Sequence, residues 1–177
     1  YNFSDLSKNL KNVDSVKLKS DTRVLIEYVT KFGVNKTLED ISGMFAISVY
    51  DKQENKIYLA RDYFGKKPIY YFYNNENFFF SSTLSPITHN KNIEKKINFK
   101  SMNYYFNYGF FNDGFSIFKN VHKVPKNSFI ELDLNNWYLK SPKKIHQSKK
   151  ENFEIQSSPK LEKLEEINFD LDEKKNT

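Results

Sequence analysis

The spacing of apolar and polar positions predicts a helix early in the chain. Between residues 24 and 32, apolar side chains recur every three or four positions, which is the spacing of one helical face. Ser20 is placed to cap the N-terminus, and the Asp21 carboxylate suits the positive end of the helix dipole. Gly33 is placed to end the helix, and a short helical turn is predicted over residues 38–41.

Farther along, short apolar runs separated by polar turns predict antiparallel strands. Four such runs follow one another closely, at residues 44–50, 56–62, 68–73 and 77–82. Their short connections predict a four-stranded antiparallel meander, in which each strand pairs with the next. A second helix is predicted over residues 100–108, ended by Gly109, and a last hairpin over residues 128–139. The mixture predicts an α+β fold.

The last part of the chain differs in character from the rest. From about residue 141 the sequence is rich in Lys, Ser, Gln and Glu, which predicts a linker over residues 141–177. Leu161, Leu164 and Ile167 mark one weak amphipathic helix within it. Residues 1–140 then form one domain of ordinary size, and residues 141–177 are a linker or a frayed tail.

Composition narrows the classes of function. The formal net charge of +6 is spread along the chain, so we expect no nucleic-acid partner. No run approaches the roughly 18 apolar residues of a transmembrane helix. No signal peptide is visible either, so we expect a cytoplasmic protein with no membrane partner. The chain has no cysteine, which excludes disulfides and a thiol nucleophile within these residues. The 3 histidines lack metal-ligand spacing, so no metal site is expected.

Two segments near the middle of the chain carry the most specific signal. Residues 57–72 read Ile-Tyr-Leu-Ala-Arg-Asp-Tyr-Phe-Gly-Lys-Lys-Pro-Ile-Tyr-Tyr-Phe, and residues 42–46 read Ser-Gly-Met-Phe-Ala. They resemble two segments of the glutamine-hydrolysing domain of asparagine synthetases, Ala-Arg-Asp-Arg-Leu-Gly-Ile-Lys-Pro-Leu-Tyr and Asn-Gly-Met-Phe-Ala. Further matches follow in the family's order: Tyr1-Asn2-Phe3, Ser20-Asp21-Thr22, Phe80-Ser81-Ser82, Tyr108-Gly109, Ile117-Phe118 and Val124-Pro125. Their common order over about residues 1–140 makes the resemblance specific.

The resemblance implies a class II, or Ntn-type, glutamine amidotransferase domain. Such a domain is a four-layer αββα sandwich with antiparallel sheets. A cysteine exposed as the first residue attacks the side-chain amide of glutamine, its α-amine acts as the general base, and ammonia leaves. In the whole enzyme, ammonia passes to a synthetase domain of the same polypeptide, which uses ATP and Mg²⁺ to convert aspartate to asparagine. No Ser-Gly-Gly-x-Asp-Ser loop for ATP occurs in this sequence.

Only part of the family's site maps onto this chain. The cysteine, an arginine that holds the substrate carboxylate and the Asn-Gly pair of the oxyanion hole would all precede Tyr1. We therefore expect a sandwich incomplete at its N-terminus, with no catalytic residue and no cofactor in this segment. The resemblance assigns Asp21 to the α-ammonium of glutamine. A carboxylate at a helix N-terminus stays ionised and can pair with an ammonium, although Asp21 could instead only cap the helix.

A charged pair, Arg61 and Asp62, ends the second predicted strand. An arginine can bind a substrate carboxylate through two hydrogen bonds, which makes this pair a candidate for substrate orientation. We instead interpret it as a structural pair near the site that holds the loop to Gly65. Gly65 would then adopt a backbone angle that is closed to other residues.

Departures from the family pattern keep other functions open. Arg23 and Thr83 each stand where the family has Glu, and Ser85 where it has Lys. These changes favour, as an alternative, a non-catalytic amidotransferase-like binding module. An amidotransferase with another acceptor is a second alternative, because the acceptor is chosen in the synthetase domain. A structural β-rich interaction domain with a coincidental match is a third, and it would lack two stacked antiparallel sheets. A homodimer is left open.

Overall fold

A computed structural model describes residues 1–10 and 20–146. Its helices are α1 (Phe3–Lys8), α2 (Asp21–Asp40), α3 (Leu84–His89) and α4 (Phe99–Tyr108). Its strands are β1 (Ala46–Asp51), β2 (Lys56–Arg61), β3 (Tyr70–Tyr73), β4 (Phe78–Ser81), β5 (Val121–Lys123), β6 (Ser128–Asp133), β7 (Tyr138–Leu139) and β8 (Lys143–Lys144). Among these helices, none is long and apolar enough to cross a membrane. The amphipathic helix predicted around Leu164 lies outside the described residues.

The first predicted helix is α2, which bends sharply at Gly33. This glycine has a φ of 79° and a ψ of 167° inside the helix. The Tyr28 hydroxyl donates a hydrogen bond to the Asp40 carboxylate at 2.8 Å, although the two residues are 12 positions apart. A straight helix would separate them by about 18 Å, so the second part folds back beside the first. The predicted end at Gly33 is confirmed, and the turn predicted over residues 38–41 belongs to the second part.

The strands form two antiparallel sheets instead of one meander. The first sheet has the order β1-β2-β6-β7, with β8 also paired to β6, and the second has the order β4-β3-β5. The predicted meander is therefore wrong between its second and third members, because β2 pairs with β6 and β3 pairs with β5. The loop between β2 and β3 begins at a buried polar corner around Arg61 and Asp62. Hydrogen bonds at that corner redirect the chain into the second sheet, so it does not reverse along the first.

Three apolar clusters define which faces of the sheets are buried. Helices α1 and α2 pack on one face of the first sheet, which includes Tyr58. The opposite face, which includes Leu59, packs against Tyr71 of the second sheet. The other face of the second sheet, which includes Phe72, packs against Ile87 of α3. Neighbouring strand residues enter different clusters because side chains alternate between the two faces of a strand. The predicted α+β class with antiparallel sheets is confirmed.

The later elements agree with the sequence only in part. Helix α4 ends at Gly109, which has a φ of 77°, as predicted, and the last hairpin is formed by β6 and β7. Helices α1 and α3 and strands β5 and β8 have no counterpart among the predicted elements. Strand β8 lies beyond the boundary drawn at residue 140, so the first sheet includes residues of the predicted linker.

Candidate functional site

The candidate site is an open groove of about 520 Å³, located where the start of α2 meets β1 and the loop before β3. Its lining combines apolar side chains with one carboxylate, one amine and several hydroxyl groups. The lining residues are Tyr1, Asp21, Thr22, Leu25, Met44, Phe45, Ala46, Ile47, Ser48, Lys67, Pro68 and Ser82. Such a groove can hold a small molecule that has an aliphatic part and charged ends.

Asp21 supplies the carboxylate of the groove. It is the first residue of α2 and is exposed. Its Oδ1 atom accepts hydrogen bonds from the Thr22 backbone N–H at 2.6 Å and from the Thr22 hydroxyl at 3.3 Å. Its Oδ2 atom accepts no hydrogen bond from residues 1–10 or 20–146. Ser20 occupies the N-cap position, as predicted, but its side chain makes no capping bond. The Asp21 carboxylate instead accepts from the Thr22 N–H, one of the N–H groups that have no partner within the helix.

Tyr1 connects the groove to the start of α2. Its hydroxyl donates a hydrogen bond to the backbone carbonyl of Asp21. Burial, together with the nearby Asp21 carboxylate, raises the pKa of the Tyr1 hydroxyl to about 12. Tyr1 therefore keeps its proton, and its role as a donor, throughout the neutral pH range.

Next to the groove, Arg61 organises the corner between the two sheets. Its side chain is only 4% exposed. The Nε atom donates to the carbonyl oxygen of Lys67 at 2.9 Å, and the Nη atoms donate to the carbonyls of Val124 and Gly65. An Nη1 atom also lies 3.4 Å from Oδ1 of Asp113. Because its guanidinium bonds to these partners, the Arg61 side chain is held within the protein.

Asp62 holds the same loop through its acceptor atoms. It is fully buried, and its Oδ1 atom accepts from the backbone N–H groups of Phe64 at 3.1 Å and Lys66 at 3.2 Å. Its Oδ2 atom accepts from the N–H of Lys67 at 3.3 Å. A buried carboxylate needs such donors, because an unpaired charge away from water is costly. The loop thus wraps around one carboxylate.

Gly65 meets two independent requirements at this corner. Its φ is +66°, a backbone region that L side chains rarely adopt. A Cβ atom at this position would also lie 2.6 Å from Nη2 of Arg61 and 2.9 Å from Cβ of Lys126. The corner therefore excludes any side chain at residue 65.

The corner and the groove share two residues. The Asp62 N–H donates to the carbonyl of Phe45 at 3.0 Å, and Phe45 lines the groove. Lys67, whose backbone binds both Arg61 and Asp62, also lines it. Hydrogen bonding at the corner therefore fixes the backbone of one groove wall.

The sequence-predicted residues thus occupy two adjoining places. Asp21 lies in the groove, whereas Arg61, Asp62 and Gly65 lie in the corner behind one wall. Sequence reasoning did not assign Tyr1 to the groove, although it read this residue as part of a family segment. No local pattern in the sequence indicates this contact, because Tyr1 and Asp21 meet only after α2 has packed against the first sheet.

Residues 1–10 and 20–146 bring no three His, Asp or Glu side chains together in an arrangement that could hold a metal ion. The sequence also lacks the Ser-Gly-Gly-x-Asp-Ser loop.

Comparison with known proteins gives a consistent result. Residues 1–141 match the family model described as a glutamine amidotransferase domain. A putative asparagine synthetase [glutamine-hydrolyzing] 2 of Methanocaldococcus jannaschii is 32% identical over 160 residues, which cover 85% of this chain and 30% of that protein. Asparagine synthetase [glutamine-hydrolyzing] 2 of Bacillus subtilis is 32% identical over 100 residues, which cover 56% of this chain and 13% of that protein. The chain thus spans less than a third of the length of these relatives.

Proposed function

Because the chain belongs to the glutamine amidotransferase domain family, we propose that its groove is part of the glutamine site of an asparagine synthetase-like enzyme. The observation that carries this proposal is the position of Asp21 in the groove. Its carboxylate lies at a helix N-terminus and beside an apolar wall, and its Oδ2 atom has no hydrogen-bond donor among residues 1–10 and 20–146. The α-ammonium of glutamine binds this oxygen, and the apolar wall contacts the methylene groups of the substrate.

The corner residues have a supporting role in this proposal. Arg61, Asp62 and Gly65 hold the backbone of Lys67 and Phe45, and so the shape of one groove wall, without contacting substrate. The burial of Arg61 and Asp62 supports this role, because both side chains are away from solvent and bond to neighbouring groups of the protein.

The fold we infer is the Ntn-type four-layer αββα sandwich. The three apolar clusters support it, since they join helices to the first sheet, the two sheets to each other, and α3 to the second sheet. The same clusters argue against a β-rich interaction domain that matches the family by coincidence, because that reading required the absence of stacked sheets.

For the whole polypeptide, we propose that ammonia from glutamine supports the ATP-dependent conversion of aspartate to asparagine in a synthetase domain, with Mg²⁺ and in the cytoplasm. The relatives are named glutamine-hydrolysing asparagine synthetases, which supports glutamine as the ammonia source and asparagine as the product. An amidotransferase with a different acceptor is the nearest alternative, since the family resemblance implies that the acceptor is chosen in the synthetase domain. A non-catalytic binding module is the other, motivated by Arg23, Thr83 and Ser85. A homodimer remains compatible with all three.

The chain of these 177 residues contains no cysteine, so we expect it to bind glutamine without hydrolysing it. An assay for ammonia release should give the rate of the glutamine solution alone. Release above that background, in a preparation free of contaminating glutaminase, would contradict the role we assign to the missing nucleophile.

Binding tests the role of Asp21 directly. In an NMR titration of the chain, glutamine should bind more tightly than glutaramate, which has the same carboxamide and carboxylate but no α-ammonium. Asp21→Asn should remove this preference, because it removes the negative charge that pairs with the ammonium. Asp5→Asn changes an exposed aspartate of α1 that pairs with Lys8 outside the groove, and it should preserve the preference. Equal affinity of the unmodified chain for both ligands would overturn the proposal.

A further inference from the structure

Among the described residues, a single hydrogen bond joins the first turn of α2 to a residue outside that helix and its N-cap. That bond joins the Tyr1 hydroxyl to the Asp21 carbonyl. The other hydrogen bonds in the first turn are internal: Asp21 accepts from Thr22, and the Val24 N–H donates to Ser20. Within residues 1–10 and 20–146, the placement of the Asp21 backbone therefore depends on Tyr1 and on the packing of buried Val24.

Tyr1 is itself held at a defined place. The adjacent Asn2 exchanges backbone and side-chain hydrogen bonds with Ser42: its N–H donates to the Ser42 carbonyl at 3.0 Å, and its Oδ1 accepts from the Ser42 N–H at 2.8 Å. The Asn2 side chain also donates to the Asp40 carbonyl at 3.0 Å. A Cβ atom on Gly43 would lie 3.0 Å from Cα of Tyr1, so the two backbones pack closely there.

Two consecutive residues thus bind opposite ends of α2. Asn2 binds its C-terminal end at Asp40, and Tyr1 binds its N-terminal end at Asp21. This is geometrically feasible because α2 folds back at Gly33, which brings its ends towards one another. The Tyr1 ring spans the distance between the anchored backbone of residues 1 and 2 and the first turn of the helix, beside the groove.

We propose that Tyr1 is a positioning residue for substrate binding, which sets the Asp21 carboxylate where the α-ammonium of the bound amino acid lies. The proposal rests on the proposed glutamine site and deepens it. Tyr1 acts through the backbone of Asp21 and forms no bond to the ammonium. Its effect is therefore specific for ligands that carry the α-ammonium, and it depends on the hydroxyl rather than on the ring.

The test uses Tyr1→Phe, which keeps the ring and its packing and removes only the hydroxyl. In NMR titrations of the chain, glutamine affinity should fall about two- to tenfold, the range expected for one intramolecular hydrogen bond. Glutaramate affinity should stay unchanged. Tyr50→Phe is the matched control, because the Tyr50 hydroxyl also donates one hydrogen bond, to Asn55 at 3.1 Å, away from the groove. This variant should bind both ligands like the unmodified chain.

The outcomes separate the two proposals. If Asp21→Asn abolishes the preference for glutamine over glutaramate while Tyr1→Phe leaves it intact, the positioning role is wrong and the glutamine site stands. If Tyr1→Phe lowers the affinity for both ligands equally, the hydroxyl has a general structural role and the positioning role is also wrong. If the unmodified chain shows no preference, the glutamine site itself is wrong, and with it the role of Tyr1.

Discussion

Asp21 and Asp62 are both aspartates at the end of a secondary-structure element, yet their surroundings are opposite. Asp62 is fully buried and accepts hydrogen bonds from three backbone N–H groups of its own loop. Asp21 is exposed, and among the described residues only Thr22 donates to its carboxylate. The buried carboxylate is bound by three donors of its own loop, and the exposed one has an oxygen without a donor among the described residues.

This difference indicates which carboxylate stabilises the fold and which one can bind a ligand. A buried carboxylate must be satisfied by the fold, so its removal leaves several donors without partners. An exposed carboxylate at a helix N-terminus contributes little to folding and keeps an oxygen for a cation. The sequence places both residues beside family motifs, but only their burial separates the two roles.

The largest expected difference in stability is between the alanine variants of the two aspartates. Asp62→Ala should lower the free energy of unfolding by about 3–5 kcal/mol, because three backbone N–H groups lose their acceptor and the fully buried Asp62 side chain leaves a cavity. Asp21→Ala should lower it by about 1 kcal/mol or less, the cost of one capping bond at a helix end. Urea denaturation of both variants and of the unmodified chain measures the two values. Equal losses would show that burial does not distinguish these aspartates.

The next largest expected loss of stability tests whether the corner excludes a side chain at residue 65. Gly65→Ala should cost about 2–4 kcal/mol, since a positive φ and close contacts with Arg61 and Lys126 add together. Gly109→Ala is the matched control, because Gly109 has a φ of +77° with no atom within 4 Å of an added Cβ. It should cost about 1–2 kcal/mol, from backbone strain alone. Denaturation midpoints that shift equally in both variants would argue against steric exclusion at the corner.

A smaller, pH-dependent effect on stability is expected at Asp40. Its side chain is half-buried, between the exposed Asp21 and the buried Asp62. Its carboxylate accepts hydrogen bonds from Lys36 at 2.7 Å and from Tyr28 at 2.8 Å. The Lys36 ammonium and, less strongly, the Tyr28 hydroxyl hold the pKa of Asp40 below its usual value, against the opposing effect of burial. Because the folded pKa is depressed, this contribution is present above the unfolded pKa of about 4 and is lost as pH falls through the folded pKa.

Asp40→Asn should therefore cost less than about 1 kcal/mol at pH 7, since the pair with Lys36 is partly exposed. The difference in unfolding free energy between the variant and the unmodified chain should shrink as the pH is lowered below about 4. Urea denaturation at pH 7 and pH 3 measures it. A difference that stays constant across this range would exclude ionisation of Asp40 as its source.

Local patterns predicted some elements well and long-range pairing poorly. The end of the helix at Gly33, the end of α4 at Gly109 and the β6–β7 hairpin depend on residues close in sequence, and they were predicted. The meander failed at the loop after Arg61, where the choice between β3 and β6 as the partner of β2 depends on hydrogen bonds to Val124 and Gly65. Spacing along the chain contains no information about such contacts.

By itself the sequence determined the α+β class, the positions of the strongest strands and helices, and the resemblance of ordered motifs to an amidotransferase domain. It did so because periodicity, glycine positions and motif order are local properties. Only the tertiary structure decided that Asp21 lines a groove, that Arg61 and Asp62 are buried behind its wall, and that Tyr1 contacts the first turn of α2. These outcomes depend on burial and on contacts between distant residues, which arise only when α2 bends at Gly33 and the sheets pack together.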